Sequence, residues 1–171
     1  MDTKIKEKLT ALQTEFLSAA AEIKECSHDL AAQVAALGLS QLKEDALRIE
    51  TAAVELSRRT ESLLSARKET VSAIAADPSG VAGKLRHDLR NVVGALTGYL
   101  EMVAEDLQEA GIEKDLGIGA FLAKVAAMEK SIGAKVKFSK LKTSPVPDDR
   151  PREKESGEAP PDTVKPQASA V

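Results

Sequence analysis

Apolar residues recur along this chain at steps of three and four. In the first segment they are Ile5, Leu9, Leu12, Phe16, Ala19, Ile23, Cys26, Leu30, Val34 and Leu37. That spacing keeps one stripe on one side of an α-helix. Gly38 breaks the pattern, and Ser40 is a capping residue for a new start. A second stripe follows: Leu42, Ala46, Ile49, Ala53, Leu56, Thr60, Leu63, Arg67, Val71 and Ile74. Two long helices joined by so short a turn predict an antiparallel hairpin with coiled-coil-like packing. Its many alanines bury little surface each, so it needs a partner, either another copy or the next segment.

The stretch "DPSG", residues 77–80, marks the next boundary, because proline disfavours helix in the residue before it. A third helix is predicted from about Val81 to Ala110, with Leu85, Leu89, Val92, Leu96, Tyr99, Val103 and Leu107 inward. After a glycine-punctuated loop over 111–119, a fourth helix covers about Ala120 to Ser139. Its inner positions are Phe121, Leu122, Val125, Met128, Ile132, Val136 and Phe138. Three segments result: an N-terminal hairpin over 1–76, a second hairpin over 77–142, and a tail over 143–171. The tail holds six of the seven prolines and no Leu, Ile or Phe, so it reads as disordered or as a linker to further chain.

Composition narrows the class to all-α. Aromatic residues make up 2% of the chain and Trp is absent, against the bulk a sheet needs. A net charge of −3 with interspersed signs carries no footprint for nucleic acid. A single cysteine, Cys26, forms no internal disulfide and fits a reducing, cytoplasmic setting. Its place on the apolar stripe makes it a core residue, as Met102 and Met128 also read. The charged N-terminus is no signal peptide, and no apolar run approaches the roughly 20 residues that span a bilayer. No metal or cofactor motif is present. Residues 28–37, "HDLAAQVAAL", and 87–96, "HDLRNVVGAL", match at six of ten positions, through duplication or through chance in two similar helices.

Candidate chemistry gathers on the third helix. At about 100° per residue, His87 points away from the apolar stripe, and Asn91, Gly94 and Gly98 share its outward face, with Lys84 and Asp88 beside it. Each interior glycine costs a helix roughly 1 kcal/mol relative to alanine. Two on one exposed face imply either a closely packed element or the approach of a partner to a reactive imidazole. His28 lacks this company and reads as solvated surface.

The run "HDLRNV" followed by "GALTGYLEMVAEDL" resembles the H-box of the histidine kinase dimerisation and phosphotransfer domain, over about residues 81–140. Val92 stands where that family commonly has proline, and no ATP-binding domain or glycine-rich lid follows, so no autonomous kinase activity is expected. The resemblance implies a four-helix bundle made by two copies of the second hairpin, with the N-terminal hairpin as a stalk. The alternative is a fold-back of the N-terminal hairpin into a monomeric bundle. It implies His87 as phosphoacceptor, Asp88 as orienting residue or general base, and Asn91 in dephosphorylation of a partner. Lys84 and Arg90 would steady the phosphoryl charge. Implied partners are a receiver domain, a histidine kinase in trans and a second copy, in bacterial two-component signalling. A non-catalytic dimerisation scaffold that binds and regulates a signalling partner is the competing expectation.

Overall fold

The computed structural model describes residues 1–141. Every element among them is a helix: α1 (Asp2–Leu37), α2 (Ser40–Leu63), α3 (Lys68–Ala76), α4 (Pro78–Glu109) and α5 (Ile118–Lys135). The predicted disordered tail lies outside the described residues.

Chain reversals fall where local chemistry calls for them. Gly38, at φ +71°, ends α1 in the left-handed conformation that a side chain resists. The "DPSG" stretch turns out to be the start of α4 rather than a gap before it. Asp77 caps the helix by accepting from the Gly80 N–H at 2.9 Å, and Pro78 takes the first helical position, where no N–H is needed. A Cβ at position 80 would collide with that carboxylate, so the glycine leaves room for the cap.

The four long helices form a closed ring. α1 packs on α2 and α5, and α4 packs on the same two. Antiparallel neighbours are tied at matching heights. Gln13 of α1 donates to the Glu61 carbonyl of α2 at 2.9 Å, Lys124 of α5 pairs with Glu22 of α1 at 3.6 Å, and Arg86 of α4 donates to the Val136 carbonyl beyond α5 at 2.7 Å. One core runs through all of them, with Leu9, Phe16, Ile23, Leu89, Leu96, Val125 and Ile132 all buried. The bundle therefore closes within one chain. The N-terminal hairpin covers the apolar faces of α4 and α5, which is the fold-back arrangement.

Several details differ from the sequence pattern. The second stripe is not one helix: the chain leaves helical geometry after Leu63, and α3 resumes at Lys68. Leu64, not Leu63, is fully buried. The break turns α3 across the base, onto α1 and α4, so that one short helix closes the open end of the ring. No glycine or proline marks this turn. On α4 the buried positions are Val93 and Leu100 rather than Val92 and Tyr99, which sit half-buried at the α2 flank. On α1, Ala20 and Ser27 replace Ala19 and Cys26 in the core; Cys26 is half-buried. Met102, expected inside, is 41% exposed, whereas Met128 is buried. In each case steps of three and four both satisfy the periodicity. The neighbours of the helix decide which one faces in.

Candidate functional site

His87 stands on the third turn of α4, on its solvent face, with its side chain 72% exposed. Leu85 and Leu89, on either side in sequence, are buried and set the rotation of the helix. The ring is oriented by its neighbour: His87 Nδ1 lies 3.2 Å from Asp88 Oδ1. Asn91, one turn on, brings its Nδ2 to 3.5 Å from the same nitrogen, at the outer limit of hydrogen-bonding distance. A carboxylate accepts only, so Nδ1 donates in the Asp88 pair, and the Asn91 NH2, itself a donor, makes no hydrogen bond to it in that tautomer. With that tautomer Nε2 carries the lone pair, on a side chain that is mostly exposed. This is the arrangement an imidazole nucleophile needs: one nitrogen tied to an acceptor, the other with its lone pair.

The other residues singled out from the sequence divide. Lys84 is exposed near His87. Arg90 is exposed too, but its guanidinium lies over Gly133 of α5, in space that a Cβ at 133 would take. Gly94 and Gly98 face open space, with nothing within 4 Å of where a Cβ would stand. Of the two readings, no element among the described residues packs against these glycines. Arg86, although next to His87, turns inward to the Val136 carbonyl and serves the fold.

The structure adds a feature that the sequence did not reveal. A groove of about 520 Å³ runs between α2 and α4, with Asp88 and Asn91 at the His87 end. Thr51, Ala52, Val92 and Tyr99 form its walls. Val92 and Tyr99 border it because α4 is rotated one position from the expected stripe. Arg59 lies on its rim, held by Glu55, which also takes a two-point contact from Arg58; all three N···O distances are 2.7 Å. Hydrogen bonds from Arg58 and then Arg59 pull the Glu55 carboxyl down to about 2. The only signal for this triad in the sequence is the i, i+3, i+4 spacing of opposite charges.

His28, expected to be merely solvated, bonds across the α1–α2 seam: its Nδ1 lies 2.7 Å from Glu50 Oε1. The repeat containing both histidines therefore places them in different surroundings, one bridging two helices and one paired within its own.

Among the described residues, no group of three or more His, Cys, Asp or Glu is placed to hold a metal ion. Nor is any helix among them long and apolar enough to cross a membrane. Compared with protein-family models, with curated proteins and with solved structures, the chain matches none.

Proposed function

We propose that this chain is a cytoplasmic phosphoryl-accepting module, in which His87 takes a phosphoryl group from, or returns it to, a carboxylate on a partner receiver domain. The observation that carries this reading is the placing of the imidazole: 72% exposed, with Nδ1 3.2 Å from Asp88 Oδ1. In the transfer, Nε2 attacks the phosphorus of an acyl phosphate, the bond from phosphorus to the carboxylate oxygen breaks, and a phosphoramidate forms. Positive charge develops on the ring as the new bond forms, and Asp88, at 3.2 Å from Nδ1, stabilises it or takes the proton. Lys84 is positioned to meet the phosphoryl oxygens. Arg90 reaches them only by leaving Gly133. Asn91, one turn from His87, is assigned the separate phosphatase reaction, in which its amide would orient a water that attacks the partner's phospho-aspartate and releases inorganic phosphate. The groove offers the receiver an apolar seat beside the nucleophile. With no nucleotide-binding motif, the phosphoryl group comes from a kinase in trans or from the receiver, as in bacterial two-component relays.

A second reading is favoured by the same groove and by Leu47, which is 62% exposed beside it: a scaffold that binds a signalling partner without chemistry. One experiment separates the two. The purified chain is offered phospho-receivers and kinases, and the product is read by Phos-tag gel and mass spectrometry. Acid-labile label on His87, lost in His87→Gln, supports the relay. Partner binding that survives His87→Gln, with no label from any donor, supports the scaffold.

A further inference from the structure

Because the bundle is closed within one chain, a surface other than the apolar seams is left to explain the open face of α4. That face runs through Lys84, His87, Asn91, Gly94, Gly98, Met102, Glu105 and Glu109, all exposed except the half-buried Gly98. On a helical wheel these positions fall within about 80° of one another. Its charge is split along its length. Lys84 lies at one end; Glu105 and Glu109 lie at the other. The pattern is complementary to its own reverse. Turned end for end at the level of Leu96, Gly94 falls on Gly98, His87 on Glu105, and Lys84 beside Glu109. Both glycines are open, so two backbones can approach closely at the centre. Met102 at 41% exposed, and Leu47 of α2 at 62% beside the groove, supply apolar surface next to the line of contact. The face is about 38 Å long from Lys84 to Glu109.

We propose that the outer face of α4 is the seat of a second copy of this chain, packed antiparallel about a two-fold axis at the level of Leu96. Such pairing sets opposite charges across the interface at both ends, whereas a parallel pairing sets like against like. It also covers His87 with Glu105 of the second copy. The pairing holds or fails independently of whether His87 takes a phosphoryl group, although it would control access to that histidine.

The test is sedimentation of the full chain at rising concentration, in about 0.05 M and about 0.5 M NaCl, together with modification by diethyl pyrocarbonate. The expected result is a monomer–dimer equilibrium that weakens at high salt as the charges are screened. Gly98→Leu should weaken it at least tenfold, because its added side chain has open space in the monomer but not in the dimer. Lys84→Glu should weaken pairing, and Lys84→Glu combined with Glu109→Lys should restore it. Carbethoxylation of His87 should slow as dimer forms, while that of His28, on the α1–α2 seam, stays constant. A chain that remains monomeric at both salt concentrations overturns the proposal. So does a dimer indifferent to Gly98→Leu that leaves His87 as reactive as in the monomer; the face would then belong to a different protein.

Discussion

Phe16→Ala tests whether the two hairpins are one folding unit. Phe16 sits midway along α1, 1% exposed, in the core that α1 shares with α5. Removing the ring of a buried phenylalanine costs roughly 3–5 kcal/mol, the spread reflecting how far the site collapses. Here the lower end is expected. A cleft of about 170 Å³, lined by Ala19, Lys124 and Met128, already borders Phe16, and these neighbours can relax inward. A loss of about 3 kcal/mol corresponds to a fall in Tm of roughly 6–12 °C for a chain of this size. The assay is urea and thermal unfolding followed by two probes. Far-ultraviolet circular dichroism reports all the helices. Tyr99 is the only tyrosine, and the chain has no tryptophan, so its fluorescence reports the packing of α4 at its α2 flank. In a single closed bundle, both transitions shift together, although Phe16 and Tyr99 lie in different hairpins. The reasoning is refuted if the Tyr99 transition stays in place while the dichroism transition splits in two.

Other consequences follow from single groups. Thr60 is fully buried with no partner for Oγ1 among the described residues, so Thr60→Val should raise stability by about 1 kcal/mol in urea titration. Asp77→Ala removes the cap of α4 and should cost about 1 kcal/mol; Gly80→Ala, which displaces the same carboxylate, should also destabilise. Asp106 has a raised pKa through burial, through a hydrogen bond with Asp45, and through the charges of Asp45, Glu109 and Glu105. A carboxyl whose folded pKa is raised holds its proton more tightly in the folded state, so the proton stabilises the fold. That contribution is complete below the unfolded value and is lost as pH rises through the folded one. Between pH 4 and 7 the Tm of Asp106→Asn should therefore fall less, or rise more, than that of the parent chain, and at pH 7 the variant should be the more stable. The Glu55 carboxyl, held down to about 2 by Arg58 and Arg59, acts in the opposite sense. Its contribution is present above the ordinary carboxylate range and is lost in acid. Glu55→Gln should accordingly show a shallower loss of Tm between pH 5 and 2.

The site was readable to different depths. His87 and Asn91 share one exposed face because they are four residues, about one helical turn, apart, with the half-buried Asp88 at its flank, and Leu85 and Leu89 fix which way that face points. Gly94 and Gly98 follow by the same arithmetic. The groove was not readable, because it depends on a one-position choice. Val92 or Val93, and Tyr99 or Leu100, each continue a stripe with steps of three or four. Only contact with α2 on one side and α5 on the other selects Val93 and Leu100 for the core and leaves Val92 and Tyr99 as groove walls. The interhelical bonds of His28 to Glu50 and of Arg86 to the Val136 carbonyl were equally hidden, since their partners lie 22 and 50 residues away.

Periodicity, the Gly38 break and the Asp77–Pro78 start determine the helices of this protein locally, from propensity and capping. Such signals act within a few residues and need no tertiary context. Which helices meet was decided by burial. The apolar faces of α4 and α5 can be covered by a second copy or by α1 and α2, and nothing local distinguishes these. The turn at Leu64–Arg67, where no glycine or proline stands, lets α3 cross the base and brings the N-terminal hairpin onto the second one. That closure buries the seams within a single chain, and it leaves the outer face of α4, with His87 upon it, exposed.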